Sequence, residues 1–200
     1  MIETTFDGEL EYLNRPNPNF LVIRGPHGVG KSTLRNGLMD LLEGKNIAFL
    51  DIDEIGEFTN KYLTNKLPKV KKDLIDVNNI IDMSKNCSYF GFKSIIFGIF
   101  SRKEEEDILY NSLRPRSMEN YIFLNAPLEV CIERDKQREK ILGEKIIRDM
   151  YEKSCEPREY ETIFDTSELS LKELTNEIYL HVRDLMFSRH HSLVVADRKI

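Results

Sequence analysis

The stretch Gly25-Pro26-His27-Gly28-Val29-Gly30-Lys31-Ser32 constrains this chain more than any other. It matches the pattern G-x-x-x-x-G-K-[ST] without deviation, and its flanks are those that the pattern needs. Ahead of it, Phe20-Leu21-Val22-Ile23-Arg24 is a short apolar run of the kind that forms a buried strand. Behind it, Leu34, Leu38, Leu41 and Leu42 fall at i, i+4, i+7 and i+8, which predicts an amphipathic helix that Gly44 is placed to end. Glycines in a strand-to-helix turn let successive N–H groups point inward, and the helix adds its positive end to the same spot. Such a turn is a nest for a phosphate group.

The alternation of strand and helix then repeats. Ile47-Ala48-Phe49-Leu50-Asp51 reads as a second strand, and Val77, Ile80, Ile81, Ser84 and Cys87 mark a helical face that stops near Gly91. Ser94 to Phe100 makes a third strand, and a charged helix follows around Glu104 to Ser112. Tyr121-Ile122-Phe123-Leu124-Asn125 is a fourth strand, and Pro127 opens a helix that carries Val130, Cys131 and Arg134. Thr162-Ile163-Phe164-Asp165 can supply a fifth. Ser170-Leu171-Lys172-Glu173 is a capping box for a last helix that would bury Leu171, Leu174, Ile178, Val182 and Leu185. The expected fold is α/β: a P-loop NTPase three-layer architecture whose five-stranded, mainly parallel sheet has the order 2-3-1-4-5 and is covered by helices on both faces. Segments 54–76 and 135–160 break the pattern; they read either as covers over the site or as solvated connecting helices.

With 200 residues, 40% of them hydrophobic and 32% charged, the chain can bury one proper core but not two. Residues 1–19 read as an N-terminal extension, 20–187 as the P-loop kinase domain and 188–200 as a C-terminal tail. The net charge of -5 gives no general attraction to polyanions, and no basic patch stands out, so neither a nucleic acid polymer nor an anionic membrane is an expected partner. Cys87, Cys131 and Cys155 lack the pairing of a zinc site or a disulfide framework. No basic start with an apolar core opens the chain and no apolar run reaches membrane-spanning length, so a soluble cytoplasmic protein is expected. His190 and His191 read as part of an unstructured tail. An apolar helix face could support a homodimer, which sequence alone does not decide.

The chemistry follows from the nest. Gly25, Pro26, His27, Gly28, Val29, Gly30, Lys31, Ser32 and Thr33 are the expected contacts to ATP, with Lys31 at the β and γ oxygens and the Ser32 hydroxyl on Mg2+. The pattern leaves position 27 free, so His27 is read as a tolerated exposed residue. In an open parallel sheet ligands bind beyond the carboxyl ends of the strands, which puts Asp51 and Asp53 near the phosphates. Along an extended chain both carboxylates would share one side, so that Asp51 could serve the magnesium shell while Asp53 accepts the proton of an attacking hydroxyl. A solvated pair of turn aspartates is the alternative.

From Phe20 to about Leu185 the chain resembles the adenylylsulfate kinase family of P-loop kinases. Leu50-Asp51-Ile52-Asp53 is similar to that family's Leu-Asp-Gly-Asp element, whose second Asp is taken as the catalytic base. Asn78-Asn79-Ile80-Ile81 resembles its helix before the third strand, and Phe100-Ser101 the end of that strand. Asn125-Ala126-Pro127-Leu128-Glu129-Val130-Cys131-Ile132-Glu133-Arg134-Asp135 is similar to its Ala-Pro-Leu-Glu-Val-Cys-x-x-Arg-Asp run, and Phe164-Asp165-Thr166-Ser167 to its Leu-Asp-Thr-Ser element near the adenine. The resemblance implies that Arg134 flanks the base and phosphates, that Thr166 lies at the nucleotide, and that Asn79 and Ser101 belong to the acceptor side, where Arg102 and Arg138 are further candidates. The departures fall on that side. The family's arginines stand replaced by Gly56 or a neighbour and by Ile75 or Asp76, its Ser-Pro pair has become Ser101-Arg102, and its Lys-Gly-Leu-Tyr pattern is missing after Asp135. A phosphosulfate acceptor would lose bidentate partners, so a different substrate is expected. These features together imply an ATP- and Mg2+-dependent kinase of a hydroxyl on a small, nucleotide-like acceptor. The alternatives are a genuine adenylylsulfate kinase, a nucleoside or nucleotide kinase, and an ATP-binding regulator or acceptor-free ATPase.

Overall fold

Five apolar runs of four to six residues form the centre of the computed structural model, which describes residues 20–62, 67–98, 103–113, 120–154 and 156–187. The chain order is β1 (Phe20–Arg24), α1 (Lys31–Leu41), β2 (Ile47–Asp51), α2 (Ile52–Tyr62), α3 (Lys69–Tyr89), β3 (Lys93–Gly98), α4 (Lys103–Leu113), β4 (Tyr121–Asn125), α5 (Leu128–Lys136), α6 (Glu144–Ser154), β5 (Thr162–Asp165) and α7 (Leu171–Phe187). The strands lie in the order β2-β3-β1-β4-β5, as expected, and every neighbouring pair is parallel. Val22 at the centre of β1 stands between Ile96 of β3 and Tyr121 of β4.

Strand side chains alternate between two cores. Leu21, Ile23, Ile95, Phe97, Ile122 and Leu124 pack on one face against Leu34 and Leu38 of α1, Cys131 and Ile132 of α5, Ile147 of α6, and Leu174, Ile178 and Val182 of α7. Phe20, Val22, Leu50, Ile96 and Tyr121 pack on the other against Ile52, Val77, Ile80, Ile81, Leu109 and Leu113, from α2, α3 and α4. Burial on both faces is why β1, β3 and β4 read as unbroken apolar runs rather than alternating ones. The three-layer arrangement also gives each half of the molecule one set of helices, and the site lies where the two sets meet.

Helix ends follow local chemistry. Ser170 N–H donates to Glu173 Oε2 at 2.9 Å and Glu173 N–H to Ser170 Oγ at 3.3 Å, which makes the expected capping box at the start of α7. Pro127 stands just before α5, where its missing N–H costs nothing. Some expectations are corrected. Leu41 is 44% and Leu171 49% exposed, because each sits at the edge of its helix's apolar stripe. Residues 54–76 and 135–160, read as covers or as connecting helices, contain α2, the start of α3 and α6; α6 is tied down by buried Ile147 and by Tyr151 Oη, which donates to Ala126 O at 2.8 Å. The extension 1–19, the tail 188–200 with His190 and His191, and Phe100, Ser101, Arg102 and Cys155 lie outside the described residues.

The register of α7 is open to a direct check. Ile178→Ala, which opens a cavity against α1 and the sheet, should cost about 3 kcal/mol in chemical denaturation, whereas Leu171→Ala should change stability by less than about 0.5 kcal/mol.

Candidate active site

The turn between β1 and α1 is shaped by what its glycines lack. A Cβ at Gly25 would run into the Leu124 carbonyl at the end of β4, and one at Gly28, where φ is 78°, would lie 2.5 Å from the Cys131 carbonyl of α5. The loop therefore lies flush against both elements, as only bare backbone can. Gly30, at φ 104°, starts α1 from the left-handed region. Lys31 folds back over the loop and donates to Gly25 O and Pro26 O, each at 2.9 Å. Burial pulls the Lys31 ammonium down to about 8, with the nearby Asp53 and Asp51 carboxylates opposing that shift. His27 is half-buried rather than exposed; burial, Lys31 and Arg138 lower it to about 4, so it enters the site as a neutral hydrogen-bonding ring.

The two aspartates do not sit on one extended strand. The chain turns into α2 at Ile52, so Asp51 ends β2 while Asp53 stands in the first helical turn with its N–H donating to Asp51 Oδ1 at 3.0 Å. Arg35 of α1 holds Asp51 Oδ2 at 2.7 Å and reaches exposed Glu54 at 2.6 Å. Burial raises the Asp51 carboxyl above its ordinary range despite these partners. Asp53, not Asp51, faces the cavity. The expectation of two equivalent carboxylates thus becomes a division: one is tied to α1, the other is presented to the open space.

At the opposite end Arg134 of α5 makes a short circuit of bonds. It donates to Thr166 Oγ1 at 2.8 Å, to Thr166 O at 2.7 Å and to Val29 O at 3.3 Å, and the Thr166 hydroxyl donates to Val29 O at 2.9 Å. Arg134 and Thr166 thereby hold the middle of the phosphate loop against the loop after β5. Asp135, 1% exposed, accepts from the N–H groups of Leu142 (3.1 Å) and Gly143 (2.9 Å) and fixes the turn between α5 and α6.

These residues enclose one cavity of about 740 Å³. His27, Gly28, Val29, Gly30, Lys31, Ser32, Thr33, Asp53, Arg134, Arg138 and Thr166 all line it, which brings together most of the residues singled out in the sequence. Gly25 and Pro26 contribute through their carbonyls to Lys31. Asn79 does not belong: it is exposed on α3 and away from the lining. Sequence reasoning missed Glu57, Asp73, Glu105, Gln137 and Lys140, which line the cavity, and Arg35, which orients Asp51. Among the described residues no set of three His, Cys, Asp or Glu side chains is arranged to hold a metal ion, and no helix is long and apolar enough to cross a membrane.

No protein-family profile matches the sequence, and no curated protein does. Solved structures do match. A sugar kinase from Janibacter sp. superposes with a TM-score of 0.64 at 15% identity, over 82% of this chain and 94% of that one. The APS kinase of Mycobacterium tuberculosis, solved with AMPPNP and APS, gives 0.64 at 16% identity over 84% and 99%. A gluconokinase from Sinorhizobium meliloti gives 0.60 at 18% identity over 86% and 95%. The chain has the fold of the P-loop kinases. In that fold the turn after β1 is the glycine-rich loop, which here is Gly25 to Ser32.

The lowered Lys31 gives a pH signature. Phosphates favour the charged ammonium, so a bound nucleoside triphosphate should raise the lysine above about 8. Binding above that pH must then take up a proton, and below it need not. Affinity should be flat from pH 6.5 to 7.5 and fall as pH passes about 8, with proton uptake measured by calorimetry in buffers of different ionisation enthalpy; Lys31→Arg should remove the uptake.

Proposed function

We propose that this chain is a kinase that moves the γ-phosphoryl group of ATP, with magnesium, onto a hydroxyl of a small molecule. The observation that carries the reading is that Lys31, in the phosphate nest, and Asp53, a carboxylate on the other side of the sheet's end, line the same cavity. The fold shared with sugar, gluconate and adenylylsulfate kinases supports it.

ATP would lie with its phosphates in the turn 25–33 and its base toward Arg134 and Thr166. The acceptor hydroxyl would attack the γ-phosphorus, forming one O–P bond as the bond to the β-phosphate oxygen breaks, while its proton passes to the Asp53 carboxylate and ADP leaves with the electron pair. Lys31 exchanges its two backbone carbonyls for phosphate oxygens and offsets the charge that spreads there during transfer. Ser32, exposed in the first turn of α1 and lining the cavity, is the residue that would hold magnesium, with Asp51 at the end of β2 as the second candidate; the ion would supply neutralisation of phosphate charge. Adenylylsulfate is not the acceptor in this reading. By the resemblance, Gly56 or a neighbour and Ile75 or Asp76 stand where that family has the arginines that hold the phosphosulfate, and Gly56 and Asp76 line the cavity here.

Lys31→Ala should abolish turnover. Asp53→Asn, which keeps the shape and removes the base, should lower kcat by about 100-fold or more while the ATP dissociation constant stays within about threefold. Near-normal kcat in Asp53→Asn rejects that residue as the base, and ATP hydrolysis at full rate without any acceptor rejects the kinase.

A further inference from the structure

Arg35 stands one helical turn beyond Lys31, on the same face of α1. Its guanidinium crosses to the start of α2. A single nitrogen, Nη1, donates to Asp51 Oδ2 at 2.7 Å and to Glu54 Oε1 at 2.6 Å. With its other oxygen Asp51 accepts the Asp53 N–H at 3.0 Å. Asp51 therefore caps α2 with both oxygens engaged, one on the helix that it starts and one on α1.

The first turn of α2 needs such a clamp. Gly56 and Asn60 disfavour a helix, and the apolar anchors Ile52 and Ile55 hold α2 toward Val77, Ile80 and Ile81 of α3 rather than toward α1. Among the described hydrogen bonds, the Arg35 bridge is what ties the start of α2 to α1. It does so at a cost. Arg35 Nε is buried without a hydrogen-bond partner among the described residues, and an unmade buried donor is destabilising. Glu54, at the far end, is mostly exposed, so its bond returns little stability. An arginine held here on such terms serves position more than stability.

Resting on the kinase reading of this site, we infer that Arg35 is a positioning residue: by bridging Asp51 and Glu54 from the helix that Lys31 begins, it sets where the Asp53 carboxylate stands relative to the phosphate turn. Lys31 and Asp53 line the cavity and Arg35 does not, so it acts through Asp53 and not on the nucleotide. A base must lie within hydrogen-bond reach of the hydroxyl that it deprotonates, and a misplacement of about 1 Å can cost about 100-fold in rate while leaving the binding of ATP alone.

One arm of the test needs no acceptor. In the full chain, amide hydrogen exchange at residues 53–57 is followed by mass spectrometry, with and without magnesium and a non-hydrolysable ATP analogue, in the wild type, Arg35→Lys and Arg35→Met. We expect Arg35→Met to exchange at least about tenfold faster there, with α7 unchanged. Because one nitrogen makes both bonds, an ammonium can replace it, and Arg35→Lys should stay near the wild type. The second arm reads ADP release from magnesium-ATP supplied with a protein-free metabolite extract. Arg35→Met should slow release at least about tenfold while affinity for the analogue stays within about threefold, and Arg35→Lys should restore most of the rate. Added to Asp53→Asn, Arg35→Met should slow the residual rate by less than about twofold, whereas a merely structural loss would slow both backgrounds alike. Full turnover in Arg35→Met, equal slowing in both backgrounds, a loss of analogue affinity that matches the loss of rate, or unchanged exchange at 53–57 overturns the inference. No ADP release from the wild type sinks the kinase reading instead, and the exchange arm then decides by itself whether Arg35 places α2.

Discussion

Everything in this site depends on main chain touching main chain. The Gly25 and Gly28 positions lie against the carbonyls of Leu124 and Cys131 so closely that a single methyl group would push the loop away from β4 and α5. That contact sets the height of the nest above the sheet. The Arg134, Thr166 and Val29 bonds close it from the other side, so the loop is held by β4, α5 and the segment after β5 before any phosphate arrives. A loop held in this way would not need to rearrange to receive an anion.

Beneath the loop lies a second support. Arg24, the last residue of β1 and 3% exposed, donates to both oxygens of Glu161 at 2.5 and 2.6 Å and to Glu156 O at 2.8 Å, and faces Glu106 at 3.3 Å. Arg158 closes the network through Glu106 at 2.6 Å, and the Phe123 ring lies 4.7 Å from the Arg24 guanidinium. A cluster of two arginines and two glutamates, buried except at Arg158, adds little net stability, since desolvation offsets most of its attraction. Its consequence is positional. Glu106 neighbours Glu105, so the same helix that presents a carboxylate to the cavity is bonded to the strand that launches the phosphate loop. The distance between α4 and the loop after β1 is thereby set by bonds rather than by packing alone.

How much of this was legible in the chain follows from the same geometry. The strands were, because β1, β3 and β4 are buried on both faces and carry their polar residues only at the strand ends, and the order of the sheet is the one expected of the P-loop architecture. Leu41 and Leu171 misled because apolar spacing cannot tell the centre of a stripe from its edge. The helix α2 was missed although Ile52 and Ile55 recur at i and i+3: Gly56 and Asn60 disfavour a helix, and packing against α3 makes it one. That is why Asp51 and Asp53, placed on one extended strand by alternation, are divided by a strand-to-helix junction. Asn79 looked right by resemblance but faces outward. The cavity-lining carboxylates of α3 and α4 were beyond reach for a different reason. Asp53, Asp73 and Glu105 are each ordinary surface acids in sequence, and only the crossovers from β2 to β3 and from β3 to β1's other neighbour bring their helices to one rim.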